Sequence, residues 1–231
     1  MELSSLLLVG FLLGLRHALD PDHVASVATI STSSRTLADG LKQGAAWGMG
    51  HTLTLLLFGG SALLLGLAVS EDLALVLELS VGVMLVLLGV DVVRRIINER
   101  IHAHPHDHVD GASHLHIHSH VQIDRHEHSH SPLIPLRALF VGLMHGLAGS
   151  AALVLLTVAS APSIPTGVSY IFVFGVGSIL GMALLSVLIA LPLRLSSKRF
   201  EHAQQNFRFG IGVVTIVLGL SIVRSILVVS L

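Results

Sequence analysis

Six apolar stretches run through the sequence, and each is long enough to cross a bilayer as a helix, which takes about 20 residues. Only 12% of the residues are charged, whereas soluble domains carry roughly a quarter. The pattern therefore predicts an all-α, polytopic membrane protein with six transmembrane helices. The stretches cover residues 4–30, 44–69, 73–97, 133–159, 167–191 and 207–229.

Composition narrows the chemistry that this chain can perform. It has no cysteine, which excludes disulfides and thiolate metal sites. The formal net charge of −1, with histidine neutral, argues against a nucleic-acid partner. None of the six apolar stretches contains the H-E-x-x-H motif of zinc proteases, whose one match, HEHSH at 126–130, lies in a polar histidine-rich tract; the G-x-x-x-x-G-K-[ST] loop that binds nucleotides is absent from the sequence. We therefore do not expect an enzyme, and energy for any transport would come from an ion gradient or a partner subunit.

Short motifs of the first half recur in the same order in the second half, 127 to 130 positions later. Each unit holds three spans, an odd number, so the second unit must enter the membrane from the opposite side. Inverted repeats are common in transporters, whose substrate site lies near the midplane where discontinuous helices meet. We expect two inverted three-helix repeats, 1–97 and 132–231. The recurring pairs are Gly14–Gly142, Leu15–Leu143, His17–His145, Gly48–Gly175, Gly50–Gly177, Gly82–Gly212, Gly89–Gly219 and Arg94–Arg224.

A cluster of ionisable residues interrupts the first span, where residues 16–23 read RHALDPDH. Ionisable groups at this depth are costly, and they mark functional sites by default. Pro21 removes a backbone donor and clashes with the preceding turn, so it should open the helix there. We therefore expect a discontinuous first helix.

The spacing of this cluster suggests a metal site. His17, Asp22 and His23 follow an H-x4-D-H pattern, and a helix opened at Pro21 would let them converge on one ion. Neutral imidazole is a good ligand for nickel, zinc, copper and iron. His51, in the WGMGHT segment of the second span, is the natural further ligand, or else a partner that orients one.

Other polar residues are candidates for an additional site or for the ion pathway. They are Asp20, His145 and Ser150. His145 occupies the position equivalent to His17, yet a single membrane histidine is as readily explained by a hydrogen bond to a neighbouring helix. For Asp20, an ion pair with Arg16 or a role in orienting the site is an alternative.

The segment between the repeats, residues 98–131, carries 11 of the 16 histidines. Such a polar tract cannot bury a core, so we expect disorder without a ligand, and its imidazoles are dense enough to collect divalent metals. A neutral polar linker is the alternative. The histidines are His102, His104, His106, His108, His114, His116, His118, His120, His126, His128 and His130.

Basic residues predict the orientation. They cluster in the loops after the first, third and fifth spans, which lie on one side of the membrane, and they are absent from the loops after the second and fourth. By the positive-inside rule the basic loops are cytoplasmic. In a cytoplasmic (inner) membrane, both termini would then lie outside and the histidine-rich loop inside.

The motifs HALDPDH (17–23) and GMGHT (48–52) resemble the signatures of the nickel/cobalt transporter family, the NiCoT/NicO permeases. The resemblance implies a secondary transporter for Ni²⁺, and also Co²⁺, as transported substrates, without an organic cofactor. His17, Asp22 and His23 match the first signature, and His51 matches the second. The segment HGLAGSAA (145–152) differs from the acidic, threonine-containing motif of larger uptake permeases and is similar to the compact six-span branch.

That branch includes permeases associated with urease maturation and efflux proteins with histidine-rich loops. Uptake is slightly favoured, and nickel-enzyme maturation proteins or a metallochaperone are the implied partners; the sequence does not predict the oligomeric state. The alternatives are a transporter of zinc or another divalent ion, and a membrane haem protein with His51 and His145 as axial ligands. The haem hypothesis leaves the two core aspartates unexplained.

Overall fold

The computed structural model describes residues 3–34, 36–65, 70–100, 102–107, 113–118, 135–146, 163–195 and 201–229. These residues form seven helices and two short strands. The helices are α1 (Leu3–His17), α2 (Pro21–Ser31), α3 (Leu37–Leu65), α4 (Glu71–Arg100), α5 (Leu136–His145), α6 (Ile164–Leu195) and α7 (Glu201–Val229); the strands are β1 (His102–Asp107) and β2 (Ser113–His118).

The first apolar stretch is broken, as predicted. Helix α1 ends at His17, residues 18–20 form a turn, and α2 begins at Pro21. Asp20 has an extended backbone, with φ −62° and ψ 141°. Proline suits the first position of a helix, because its missing N–H would have no partner there and its φ is already helical. The same residue therefore ends one helix and begins the next.

Within the described ranges, four helices are long and apolar enough to cross a membrane, over Leu37–Leu65, Asp72–Asn98, Ile164–Pro192 and Ala203–Val228. Helices α1 and α5 are apolar but shorter. The predicted fourth span, 133–159, is described only as far as Gly146. The protein is therefore a multi-pass helical membrane protein, whereas the count of six spans stays a prediction.

The helices pack in pairs that cross between the two halves of the chain. Helix α3 packs against both α5 and α6, α1 packs against α6, and α4 packs against α7. The short α2 contacts α3, α4, α6 and α7. Buried apolar side chains such as Trp47, Leu85 and Met182 fill the centre. Large apolar residues such as Leu57 and Leu184 point outwards, as expected for a surface that faces lipid.

Glycines allow the closest helix contacts. A Cβ atom at Gly14 would lie 2.0 Å from the carbonyl oxygen of Phe174, and one at Gly142 would lie 2.0 Å from the carbonyl oxygen of Trp47. Side chains larger than hydrogen cannot fit at that separation, so small residues set the distance between these helices. The contacts hold α1 against α6 and α5 against α3.

Two strands lie within the histidine-rich segment, where the sequence predicts no regular structure. They pair antiparallel, with His102 opposite His118, His104 opposite His116 and His106 opposite His114. The remainder of residues 101–134 lies outside the described residues, and there the predicted disorder stays a prediction. Helix α4 continues to Arg100, beyond the predicted repeat boundary at residue 97.

Candidate metal site

The break in the first span brings four histidines together. His17 ends α1, His23 lies in the first turn of α2, His51 lies in the middle of α3, and His145 ends α5. All four are buried, with at most 7% of each residue exposed. Because the chain turns at residues 18–20, side chains from both α1 and α2 reach the space between α3 and α5.

His17, His23 and His51 form one group of ligands, which we call the three-histidine group. Their candidate ligand atoms all lie within 4.8 Å of one another. Nitrogens that share one ion lie roughly 2.9–3.4 Å apart when metal–nitrogen bonds are 2.0–2.1 Å long. His17 Nε2 and His51 Nε2 are already 3.2 Å apart. This group can therefore bind a cation with little rearrangement.

Two carboxylates orient these imidazoles. His17 Nδ1 donates to Asp20 Oδ2 at 2.7 Å, and His23 Nδ1 donates to Asp22 Oδ1 at 2.9 Å. A neutral imidazole that carries its proton on Nδ1 has its lone pair on Nε2. The carboxylates thus leave the lone pair of both rings on Nε2, which is the usual arrangement around histidine ligands in proteins. His17 Nε2 accepts a hydrogen bond from His51 Nε2 at 3.2 Å, and a bound metal would replace it.

Two nitrogens of the group, His23 Nε2 and His51 Nδ1, are buried and have no hydrogen-bond partner among the described residues. Buried polar atoms are almost always satisfied, and an exception calls for an explanation such as an ion. A bound cation would satisfy His23 Nε2 directly. The donor set, which is nitrogen-rich with nearby carboxylates, fits a divalent transition metal.

Comparison with known proteins agrees with this chemistry. A family model described as "NicO: High-affinity nickel-transport protein" matches residues 3–230, nearly the whole chain. The chain belongs to the NicO family. The predictions of a nickel permease and of nickel as the transported substrate are confirmed, and the family is one of transporters. Membership also favours the permease over the haem-protein hypothesis.

Two relatives of this NicO chain are informative. "Urease accessory protein UreH" of Bacillus sp. (strain TB-90) is 38% identical over 202 residues, which cover 87% of this chain and 82% of the relative. "Chloroplast protein FOR GROWTH AND FERTILITY 2" of Arabidopsis thaliana is 26% identical over 217 residues, which cover 94% of this chain but 55% of that protein. No solved structure matches the chain.

Asp22 and His145 lie beside the three-histidine group of the NicO fold. His145 Nε2 donates to Asp22 Oδ2 at 2.9 Å, while Asp22 Oδ1 also accepts from the backbone N–H of His23 at 3.0 Å. Asp22, His23 and His145 form a second set of ligand atoms within 4.8 Å of one another. The structure thus places all four predicted metal ligands, and His145, in one cluster.

The remaining predicted residues have different outcomes. Asp20 accepts a hydrogen bond from His17, which agrees with its predicted orienting role; the described residues give it no ion pair with Arg16, the alternative role. Ser150 lies outside the described residues, as do His108, His120, His126, His128 and His130. The other loop histidines lie in β1 and β2, away from the described cluster in sequence and element.

Trp47 is a site residue that the sequence analysis missed. Its indole stacks on His51 with ring centroids 5.8 Å apart and also packs edge-on against His23 and His145. Its Nε1 is buried, and no described residue forms a hydrogen bond with it. A signal was available, because Trp47 precedes His51 by one helical turn in the WGMGHT motif and residues four apart share a helix face.

Asp20 offers a test of the orienting carboxylates. Asp20→Asn keeps the size of the side chain but removes the charge that fixes the proton on His17 Nδ1. We expect the KM for nickel to rise roughly 10–100-fold, as is typical when a partner of a ligating histidine is lost. Initial rates of nickel flux would measure this. Asp39→Asn, which alters a carboxylate bonded to the backbone of Thr36, is the matched control and should leave KM unchanged; equal effects of both would contradict the role of Asp20.

Proposed function

We propose that this NicO permease carries Ni²⁺, and Co²⁺ as a second substrate, through a site formed by His17, His23 and His51 with Asp22 beside them. The observation that carries the proposal is the buried His23 Nε2, which has no hydrogen-bond partner in the described part of the chain and belongs to a group of three imidazoles. Ionisable clusters of this kind inside a membrane protein mark ion pathways.

The site suits transport by alternating access of two inverted halves. Packing between the halves supports the repeat, because equivalent positions make equivalent contacts. A Cβ at Gly89 would lie 2.6 Å from the carbonyl oxygen of Gly212, and one at Gly219 would lie 2.6 Å from that of Gly82. Gly89 and Gly219 are equivalent positions of the two units, and their partners, Gly212 and Gly82, are equivalent as well. Gly14 and Gly142 are also equivalent positions, and each lies against a carbonyl oxygen of the other unit at the same distance. A two-fold axis would therefore pass between the halves.

The orientation follows from the distribution of basic residues. Arginines and lysines follow the first, third and fifth spans, which would put these loops in the cytoplasm. The histidine-rich loop, 98–131, would then lie on the cytoplasmic face of the inner membrane, with both termini outside. Its 11 histidines would collect ions at that face.

We favour uptake as the direction of transport. A relative that is 38% identical is named a urease accessory protein, and a supply of nickel to a cytoplasmic metalloenzyme requires import. Imported ions would pass from the histidine-rich loop to nickel-enzyme maturation proteins or a metallochaperone. The loop then serves as a store rather than as a gate.

Radioactive nickel flux tests the substrate and the direction together. In sealed vesicles of known orientation that contain the full chain, we expect nickel to enter through the face opposite the histidine-rich loop, and cobalt to compete better than zinc. Flux only in the reverse direction would overturn uptake. Stronger competition by zinc than by nickel itself would favour zinc transport, and vesicles that behave like empty ones would contradict the permease.

A further inference from the structure

We propose that Asp22, His23 and His145 form a second binding position for the transported cation, which takes the ion from the three-histidine group. The proposal rests on the proposed function and adds a step to it. The two positions share His23, and each supplies three candidate ligand atoms within 4.8 Å of one another. The rings of His23 and His145 lie with their centroids 4.4 Å apart, and those of His23 and His17 lie 4.2 Å apart.

The two positions differ in charge. The three-histidine group offers nitrogens alone, whereas the second position adds the carboxylate of Asp22, whose two oxygens lie 2.9 Å from His23 Nδ1 and His145 Nε2. A carboxylate attracts a divalent cation more strongly than neutral imidazole does at low dielectric. An ion at the three-histidine group therefore has a neighbouring position of more negative charge to move into.

Because the two positions share His23, the ion occupies them one after the other. A neutral imidazole has one lone pair, so His23 can complete one position or the other but not both. His23 Nδ1 and His145 Nε2 donate to Asp22 in the structure, so an ion that enters the second position would replace these two hydrogen bonds, and the proton of each ring would move to its other nitrogen. An ion can leave a transport pathway when several sites bind it in turn and none of them binds it too tightly. A shared ligand meets this requirement, because the ion leaves one set of partners as it gains the other.

Ser26 and Thr29 on α2 lie between the second position and a nearby cavity. Ser26 Oγ is 3.5 Å from His145 Nδ1, and Thr29 donates to the carbonyl oxygen of Ser26 at 2.7 Å. Both side chains are buried, and Thr29 lines a cavity of about 50 Å³. The wall of this cavity is mixed: apolar side chains lie beside Ser33 and Gln43, and the guanidinium groups of Arg95 and Arg137 both pair with the carboxylate of Asp91.

Aromatic side chains surround both positions. Trp47 stacks on His51 and packs edge-on against His23 and His145, and the ring of Phe174 lies 5.3 Å from that of His17. Among the described residues, His23 is the ligand that the two positions have in common. The proposed order is the three-histidine group, then Asp22 with His145, then the cavity beyond Thr29.

A thiolate probe would locate the ion. The chain has no cysteine, so His145→Cys introduces a single thiol at the second position. In the purified full chain, Ni²⁺ should produce an ultraviolet thiolate-to-nickel charge-transfer band in His145→Cys. Ser186→Cys, which places a thiol at another buried position, should give no band. Absence of the band from folded His145→Cys would overturn the second position.

Transport kinetics supply the second readout. We expect His145→Ala to lower the maximal rate of nickel flux about 10-fold or more with KM within about threefold of wild type, since the first position is intact. His145→Cys should recover part of the rate, because it restores a ligand atom, and His145→Gln should not, because it restores a hydrogen bond alone.

The outcomes separate this proposal from the function itself. If wild-type vesicles carry no nickel, the proposed function fails. If they carry nickel and His145→Ala keeps the wild-type rate, or if His145→Gln rescues it as well as His145→Cys does, the second position is wrong while the permease stands.

Discussion

Replacing His23 by alanine should lower nickel flux at least about 100-fold, because this residue belongs to both groups of ligand atoms. Losing a partner of a ligating histidine already costs roughly 10–100-fold in affinity or activity, so losing the shared ligand should cost at least as much. Initial rates of radioactive nickel flux in vesicles would measure the change, after correction for the amount of protein in the membrane.

His23 is buried, so alanine leaves a cavity and the variant must be shown to fold. Size-exclusion profiles and thermal unfolding in detergent would establish this. His23→Gln fills more of the space without supplying an imidazole, and we expect the same loss of flux. Thr215→Val is the matched control, because Thr215 is equally buried and bonds only within its own helix in the described structure. Flux close to wild type in a folded His23→Gln protein would contradict the assignment.

The histidine-rich loop should behave differently from the buried cluster. Deleting residues 103–130 removes 10 of its 11 histidines but none of the four buried ones. We therefore expect transport to remain measurable, with altered affinity or regulation. If this deletion alone stopped transport while His17→Ala still carried nickel, the site would lie in the loop.

Gly142→Ala and Gly14→Ala should destabilise the fold by about 1–3 kcal/mol each, as is usual when atoms are forced into a packed contact. The added Cβ would lie 2.0 Å from the carbonyl oxygen of Trp47 or of Phe174. Backbone atoms cannot rotate away, so the helices must separate. Thermal unfolding in detergent should show a lower midpoint for both variants.

The control substitution should change the stability of the fold in the opposite direction. Gly210 lies in α7, and a Cβ there would meet nothing within 4 Å. In a helix, alanine is favoured over glycine by about 0.5–1 kcal/mol, so Gly210→Ala should be neutral or slightly stabilising. If all three variants behaved alike, close packing at Gly14 and Gly142 would not be what holds these helices together.

The glycine contacts also bear on function. Trp47, whose carbonyl oxygen touches Gly142, forms a wall of the metal site. Phe174, whose carbonyl oxygen touches Gly14, has its ring 5.3 Å from that of His17. Moving either pair of helices apart would shift ligands, so flux in the folded fraction of these variants should also fall.

Local signals explain what the sequence predicted well. Pro21, between charged residues in an apolar run, indicated a helix break, and the structure has the break at that residue. His17, Asp22 and His23 lie close in sequence, so opening the helix is enough to bring them together. The position of His51 depends on how α3 packs, and Gly44 and Gly48 on α3, four residues apart, have a spacing that allows helices to approach closely.

Contacts between distant residues account for what the sequence left open. The hydrogen bond from His145 to Asp22 depends on where α5 ends relative to α2, and periodicity within one helix holds no such information. Trp47 supplies no ligand atom, so a pattern of metal-ligating residue types does not include it. The strands in the histidine-rich segment were missed because a polar, histidine-dense tract has no apolar face to bury.

The most direct test of the central claim is nickel K-edge X-ray absorption on the chain that lacks residues 103–130, once that deletion is shown to transport nickel. The account predicts nickel held by nitrogen and oxygen ligands, with the multiple scattering of at least two imidazoles, and loss of that scattering in His23→Ala. Nickel bound without imidazole, or with a spectrum unchanged by His23→Ala, would contradict it.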